Sequence, residues 1–346
     1  MAEKHVDAFY ISNHENVRYV SGYTGDDSSL LVTAAKAYFL TDPRYTEQAA
    51  LECPGWEVVN WRKPGCTMGD ALGAIVQEIG LKALAFEAPE VTYEAYADLR
   101  EKAGTELVPV SGIIEALRRL KTEEEIFCLR AACEIAARAF EKILPDIRVG
   151  ITEKELASRL SHYMVMEGAD TQPYGNILIS GARTSLLHGI PSAKAVEYGD
   201  LVLMDYGCQY HGYLSDMTRT VVVGKASKKQ HEVYNLVAQM QAGAIEKMQP
   251  GASGVEVYEA SVKPIQETPY LPYHYTGIGH GVGLFVHEVP FMGPRGTDKL
   301  VPGTVLTIEP GLYIPGWGGV RIEDQLLITE TGNEVLTNAR KELIEL

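Results

Sequence analysis

The sequence predicts a two-domain protein, with an α/β domain over residues 1–121 followed by an α+β domain over residues 122–346. Strand-like and helix-like patterns alternate in the first third, as they do in α/β layers. A capping box, TEEE from Thr122 to Glu125, opens a long helix where that alternation stops. The later helices are followed mostly by strands and turns, which is typical of helices packed on a largely antiparallel sheet.

The first domain contains the elements that an α/β layer requires. Apolar runs bounded by turn residues predict strands, and a short AAKA turn predicts a hairpin between the second and third of them. A glycine after an amphipathic run, as at Gly80, predicts where a helix ends. These patterns predict strands at residues 6–11, 29–33, 38–42 and 83–88, and helices at 43–51, 69–80 and 92–104.

The second domain begins with the helix that Thr122 opens, whose apolar residues recur every three or four positions until Pro145. A second capping box, Thr152 with Glu155, opens the next helix. Two β-branched runs at the ends of residues 201–223 predict a pair of antiparallel strands. Further helices are predicted at residues 227–248 and 253–267.

Composition excludes some classes of partner. The formal net charge is −15 at pH 7, whereas nucleic acids and anionic membranes require clustered lysine and arginine, so neither is an expected partner.

The cysteines and the first residues of the chain indicate where the protein is found. The five cysteines include no CxxC pair and are odd in number, which indicates reduced thiols. The first residues lack an apolar signal core and no apolar run approaches a membrane span, so we expect a cytoplasmic protein.

Residues 201–223 carry two acids in unusual places, Asp205 and Asp216. Each lies where a buried strand normally has an apolar residue, and two neighbouring buried carboxylates are costly unless a cation neutralises them. A single such Asp could instead face water at a strand end or cap a turn. Glu309 and Glu323 repeat the pattern within apolar strands, so one shared explanation is preferred.

His280, flanked by glycines in TGIGHGVG, completes a set of candidate metal ligands that is rich in oxygen. Such a set suits Mn²⁺, Co²⁺, Fe²⁺ or Zn²⁺. Four carboxylates exceed what one divalent ion needs, whereas two ions about 3.5–4 Å apart would use them all. His188 in SLLHGIPS and His287 in FVHEVP are further candidate site residues. For His188 the alternative is a loop histidine without a catalytic role.

Several common motifs are absent from the sequence. HEVPF is not HExxH, because its last position is Phe291. GIGHGVG has a glycine at every second position, so it is neither GxGxxG nor a phosphate-binding loop. No GxSxG elbow occurs. The glycines around His280 are better explained by a backbone that passes close to a buried site.

The chain order of the five candidate ligands resembles that of the pita-bread metallopeptidases. It is most similar to their proline-specific branch, the Xaa-Pro dipeptidases (prolidases) and Xaa-Pro aminopeptidases. The matching segments are HGIPS, DYGCQYHGYLSDMTRT, GHGVGLFVHEVP, TIEPGLY and GVRIEDQ. NVRYVSGYTG, LTDPRY and LRRLKTEEEI extend the resemblance over nearly the whole chain. It implies a creatinase/prolidase-like N-terminal domain and a pita-bread catalytic domain.

The resemblance also implies two divalent ions, Mn²⁺ or Co²⁺ in the first place, with Zn²⁺ or Fe²⁺ as alternatives. Asp205 would be a terminal ligand of one ion, and His280 and Glu309 would bind the other. Asp216 and Glu323 would bridge both ions. A metal-bridging hydroxide would attack the carbonyl that precedes proline at the N-terminus of dipeptides or short peptides.

The remaining implied roles concern the substrate. His188 and His287 would donate hydrogen bonds to the substrate carbonyl and the tetrahedral intermediate. Glu309 would also carry a proton from the attacking water to the leaving nitrogen. Arg321 matches the family pattern as a substrate-binding residue, with a salt bridge to a ligand carboxylate as its alternative role. The resemblance further implies a homodimer.

An Xaa-Pro bond has no N–H to donate, so a site that recognises proline must supply shape, which aromatic rings can provide. The candidates are Tyr273, Tyr275, Phe285 and Phe291, and core packing explains each about as well.

The sequence departs from the family at two positions. Many members have a histidine where this chain has Thr276, and many prolidases have an arginine where it has Phe291. The second departure weakens the case for a strict dipeptidase, although Arg295 is a possible substitute. Two rival functions remain: a hydrolase of a non-peptide amide, and a non-catalytic binding protein. The binding protein is disfavoured, because all five ligands and both histidines are retained.

Overall fold

The structure, a computed structural model, describes residues 6–172 and 175–346. The chain divides into two compact units, Met1–Leu117 and Arg118–Leu346. No helix among the described residues is long and apolar enough to cross a membrane.

The first unit is built on a six-stranded mixed sheet with the order β4-β3-β2-β1-β5-β6. Its second and third strands form the predicted antiparallel hairpin, whereas the two outer pairs are parallel. The strands are β1 Ala8–Ile11, β2 Ser29–Thr33, β3 Ala37–Thr41, β4 Glu57–Asn60, β5 Ala83–Glu87 and β6 Glu106–Val110. The helices are α1 His14–Ser21, α2 Thr46–Glu52, α3 Met68–Ile79, α4 Tyr93–Lys102 and α5 Ile113–Arg118.

Both faces of this sheet are covered by helices. Successive side chains of a strand point to opposite faces, so neighbouring residues enter different cores. Leu30 and Phe39 belong to a core shared with α1, α2 and α5. Their neighbours Leu31 and Leu40 belong to a second core shared with α3 and α4. The first unit is therefore the predicted α/β layer domain.

The second unit contains four helices among its described residues and a set of antiparallel strand pairs. Its helices are α6 Glu123–Ile143, α7 Glu153–Met166, α8 Lys228–Lys247 and α9 Gly254–Val262. Its strands are β7 Ile177–Ser180, β8 Leu201–Tyr206, β9 Gln209–Tyr210, β10 Tyr213–Leu214, β11 Met217–Val222, β12 Gly279–Gly281, β13 Glu288–Met292, β14 Val305–Ile308, β15 Gly311–Ile314, β16 Gly318–Arg321, β17 Asp324–Ile328 and β18 Asn333–Val335. The predicted capping boxes begin α6 and α7.

Two sheets position the candidate site residues. One has the order β11-β8-β7 and contains the predicted hairpin, in which β8 pairs with β11. The other has five strands in the order β13-β12-β14-β17-β18. Helices α6 and α7 share a core with β8, while α8 and α9 share a core with β13, β14 and β17 through residues such as Met292 and Leu306. This arrangement of helices on antiparallel strands is the predicted α+β architecture.

Candidate metal centre and surrounding cavity

The predicted metal ligands come from the middle or the ends of strands in both sheets. Asp205 lies inside β8 and pairs with Thr218 of β11, and His280 is the central residue of β12. Asp216 directly precedes β11 and Glu309 directly follows β14, while Glu323 lies between β16 and β17. The prediction that all four acids lie within strands is therefore wrong for three of them. At a strand end a carboxylate is not confined to the alternation of the sheet.

Asp216, His280 and Glu323 form a buried cluster that could hold a metal ion. Each offers one ligand atom, and these atoms all lie within 4.8 Å of one another. The Nε2 atom of His280 is 3.7 Å from Asp216 Oδ2 and 3.5 Å from Glu309 Oε1. The Nδ1 atom of the same ring lies 3.0 Å from the Gly281 carbonyl oxygen. Donation from Nδ1–H to that carbonyl would leave the Nε2 lone pair free for a metal ion.

Glu323, a member of this cluster, has one unsatisfied carboxylate oxygen. Its Oε2 accepts a hydrogen bond of 2.7 Å from Thr218, but its Oε1 is buried and has no hydrogen-bond partner among the described residues. A buried polar atom without a partner costs about 1–3 kcal/mol. Burial and the charges of Glu309 and Asp205 raise the pKa of Glu323 well above its ordinary value. A cation bound here would satisfy the oxygen and neutralise the charges, so the donor set fits a metal ion.

Arg321 lies beside the cluster and is almost fully buried, with 2% of its surface exposed. It forms a salt bridge with Asp205, and its Nε donates to Thr218 Oγ1 at 3.0 Å and lies 3.9 Å from Glu309 Oε2. It also donates to the Tyr313 hydroxyl at 2.9 Å. Burial raises the pKa of Glu309 to about 7, with the Arg321 charge opposing this rise and the Asp205 charge adding to it.

His188 and His287 line the same cavity, which has a volume of about 350 Å³ and includes all five predicted ligands in its wall. The His287 ring packs edge-on against His280, with ring centroids 4.5 Å apart and an interplanar angle of 76°. Partial burial, then the charges of His280 and His188, lower the pKa of His287 below its ordinary value. The lowered pKa favours the neutral ring, which has one N–H available to donate.

The aromatic candidates divide into two pairs. Tyr275 and Phe291 line the cavity, whereas Tyr273 and Phe285 are not part of its described wall. Tyr275 and Phe291 also line an adjoining cavity of about 410 Å³, and its wall includes Thr276 and Arg295. The two departures from the family pattern and the possible substitute for the missing arginine are thus close together.

The glycines of the His280 segment serve strand packing. A Cβ added to Gly279 would lie 2.2 Å from the Thr307 carbonyl oxygen, and one added to Gly281 would lie 2.3 Å from that of Val289. Side chains at these positions would separate β12 from its neighbours. The close approach that the sequence indicates is therefore to neighbouring strands, which hold His280 in place.

Sequence reasoning missed several residues around the cavity. Thr218 and Tyr313 bind Glu323 and Arg321, and Thr218 could have been found because it lies two residues after Asp216 on the run that forms β11. Glu288, next to His287, is a buried acid that accepts hydrogen bonds from Lys121 at 3.1 Å and from the Phe285 amide at 3.1 Å, and it pairs with Arg118. Nothing in the sequence distinguishes Glu288 from a surface acid.

Comparison with known proteins agrees with this geometry. The profile of metallopeptidase family M24 matches residues 128–330, and that of the creatinase/prolidase N-terminal domain matches residues 1–120. The chain is 42% identical to the uncharacterized peptidase YqhT of Bacillus subtilis over 340 residues, which are 98% of this chain and 96% of that protein.

Two solved structures are similar over the full chain. The Xaa-Pro dipeptidase from Bacillus anthracis superposes with a TM-score of 0.95 at 40% identity, covering 100% of this chain and 96% of the other. The X-Pro aminopeptidase from Thermotoga maritima MSB8 superposes with a TM-score of 0.91 at 33% identity, covering 100% and 99%. The predicted resemblance and fold class are confirmed. The chain belongs to metallopeptidase family M24, with a creatinase/prolidase-type N-terminal domain before a pita-bread catalytic domain.

Proposed function

We propose that the protein is a dinuclear-metal peptidase that hydrolyses the Xaa-Pro bond at the N-terminus of dipeptides or short peptides. The observation that carries this proposal is the buried cluster of Asp216, His280 and Glu323, in which Glu323 Oε1 has no partner among the described residues. The similar proteins that act on Xaa-Pro bonds support the substrate class.

The proposed metal ligands are the five residues predicted from the sequence, Asp205, Asp216, His280, Glu309 and Glu323. When bound, divalent ions would lower the pKa of a coordinated water and polarise the scissile carbonyl. Four carboxylates and one imidazole suit Mn²⁺ or Co²⁺, which we propose as the ions. Metal analysis of protein purified without added metal distinguishes these from Zn²⁺ and Fe²⁺.

His188 and His287 are the proposed hydrogen-bond donors to the substrate carbonyl oxygen. Both line the cavity, and the lowered pKa of His287 favours its neutral form. Donors placed where negative charge develops stabilise the transition state more than the ground state. Their N–H groups therefore lower the barrier to attack on the carbonyl.

Glu309 is the proposed proton carrier. Its carboxyl lies at the wall of the cavity, with 24% of the side chain exposed, beside His280 and Arg321. A carboxylate at the cavity wall can accept a proton from one reacting group and donate it to another. Its carboxylate oxygen takes a proton from the attacking water and passes it to the departing proline nitrogen.

The family resemblance implies that Arg321 binds substrate, but its contacts favour a role in orienting the ligand Asp205. Its guanidinium binds Asp205, Thr218 and Tyr313 and is almost fully buried. Few of its N–H groups remain for a substrate. It would fix the direction of Asp205 and balance the charge of Glu309.

Three further properties belong to the proposal. We expect a homodimer. If light scattering gave the mass of a monomer for the fully active protein, this expectation would be wrong. A cytoplasmic location fits five free cysteines, and cell fractionation tests it. Short proline-containing peptides are the proposed partners.

The test uses metal-stripped protein with Mn²⁺, Co²⁺ or Zn²⁺ added back. Release of alanine is measured from Ala-Pro and from Ala-Pro-Ala. Cleavage of the dipeptide alone assigns a dipeptidase, and cleavage of the tripeptide assigns an aminopeptidase. If metal is bound and neither peptide is cleaved, the proposal is wrong, and non-peptide amides or simple binding become the functions to test.

A further inference from the structure

Glu153 is a fully buried carboxylate outside the metal cluster and is the first residue of α7. Its Oε1 accepts hydrogen bonds from the Ser180 amide at 2.8 Å and the Ser180 hydroxyl at 3.1 Å. Its Oε2 accepts from the Ser192 amide at 2.9 Å and the Ser192 hydroxyl at 2.7 Å. Arg183 donates its Nε to both oxygens, at 3.2 and 3.1 Å. One side chain therefore joins three points of the segment from Ser180 to Ser192.

His188 lies in the loop between these anchors, residues 181–191, which we call the His188 loop. The ring lines the candidate active-site cavity, and no hydrogen bond or ion pair to another described residue holds it. Its direction is therefore set by the backbone of the loop. Arg183 extends the anchor toward His188, because its Nη2 donates to the Ile190 carbonyl oxygen at 2.7 Å.

The charge of Glu153 matches this network of donors. Burial alone would raise its pKa, but hydrogen bonds from Ser192 and Ser180 and the charge of Arg183 lower it below the ordinary value. An ionised carboxylate can accept all of these bonds, because it has only acceptor sites. Gln at this position would turn an amide NH₂ toward N–H or O–H donors, so at least one anchor would be lost.

The side chain that completes the capping box of α7 is that of Glu155, not that of Glu153. Glu155 Oε2 accepts from the Thr152 amide at 2.9 Å and from the Thr152 hydroxyl at 2.7 Å, which completes the capping box. Both acids are in the first turn of α7, but only Glu153 binds the His188 loop. Glu155 therefore offers a matched control.

We propose that Glu153 is a positioning residue for the reaction, which binds both ends of the His188 loop so that the His188 ring faces the substrate carbonyl. This inference rests on the proposed function, in which His188 is a donor to that carbonyl. A catalytic donor displaced by about 1 Å can cost up to about 10²-fold in rate. Glu153 thus acts on catalysis without touching the substrate.

The test compares Glu153→Gln and Glu155→Gln in the metal-loaded full chain, each with and without His188→Ala. We expect E153Q to lower kcat by about 10- to 100-fold with its metal content unchanged, and E155Q to stay within about twofold. In the H188A background E153Q should change kcat by less than about twofold, because two residues that act through one group are not additive. The same factor in both backgrounds would show a merely structural role and overturn the inference.

Two additional measurements keep the test decisive. If E153Q does not fold, Ser192→Ala removes a single donor and is compared in the same two backgrounds with the same criterion. Histidine ring NMR does not depend on activity: the His188 signal, identified by its loss in H188A among nine histidines, should move in E153Q and not in E155Q. An unmoved signal overturns the inference, whereas a wild type that binds metal and cleaves no Xaa-Pro peptide overturns the proposed function instead.

Discussion

Replacing Glu309 by Gln should remove a pH dependence of stability from the metal-stripped protein. The pKa of Glu309 rises from 4.5 to about 7 on folding, chiefly because the carboxyl is buried. The folded state therefore holds this proton more tightly than the unfolded state, so stability falls as pH rises from about 4.5 through about 7. Each pKa unit is worth about 1.4 kcal/mol, which gives about 3 kcal/mol for this carboxyl.

The assay is thermal unfolding of metal-stripped wild type and E309Q between pH 5 and pH 8, a range over which about 2.5 kcal/mol of this contribution is lost. A domain the size of the second unit changes its Tm by about 2–4 °C per kcal/mol, so this carboxyl should lower the wild-type Tm by about 5–10 °C over the range. Glu323 contributes with the same sign, and since the charge of Glu309 helps to raise its pKa, E309Q also diminishes that contribution. His287 contributes with the opposite sign, because its pKa is lowered. The exposed Glu330 provides a control, since E330Q should retain the wild-type pH dependence. Equal pH dependence in wild type and E309Q would refute the reasoning.

Three further predictions concern the cavity and the structure behind it. His287→Ala should lower kcat by about 10²–10³-fold, as expected for loss of one donor to the developing oxyanion, while the bound metal measured by mass spectrometry stays constant. Glu323→Gln should weaken Mn²⁺ binding at least about tenfold by calorimetry, because it removes the anionic ligand whose Oε1 has no other described partner. Arg219→Met should destabilise the protein by about 3 kcal/mol in denaturant unfolding, because Arg219 and Asp324 form a buried ion pair of 2.7 Å.

Each of these predictions has a result that contradicts it. Metal loss in H287A would assign that histidine to the metal centre. Equal Mn²⁺ affinities of E323Q and the control E330Q would exclude Glu323 as a ligand. For the ion pair, the matched control is Arg138→Met, which removes an exposed partner of Glu167 and should cost less than about 1 kcal/mol. Equal losses in R219M and R138M would refute the argument from burial.

Local signals in the sequence predicted much of the fold. The capping boxes at Thr122 and Thr152 place the starts of α6 and α7, and Gly80 ends α3 with a φ of 70° that glycine adopts without strain. The predicted hairpin forms with β8 paired to β11. These elements were predictable because the residues that determine them are neighbours in sequence.

Elements with weak local patterns were missed. The strands Glu57–Asn60 and Glu106–Val110 are short and lie at the two edges of the first sheet, so few of their residues are buried. The helix His14–Ser21 is mostly polar, and it is stabilised by the Asn13 cap and packing of Val17. The domain boundary after residue 121 stays a prediction.

The sequence identified the residues of the candidate site, but it did not predict the contacts that hold them. The chain order of the acids and His280 identified the residues that the structure brings around one cavity. In the sequence, Glu153 is indistinguishable from any other acid in the first turn of a helix. Its burial depends on Ser192, which is 39 positions away, and no local pattern encodes such a contact.

A titration of metal into the metal-stripped protein, with alanine release from Ala-Pro and Ala-Pro-Ala as the readout, tests the central claim most directly. The proposed dinuclear site predicts that cleavage of at least one of these peptides rises with added Mn²⁺ and stops rising at two equivalents per chain. Glu323→Gln, with its weaker binding, should show no such break at the same concentrations. Two ions bound per chain without cleavage of either peptide would contradict the account.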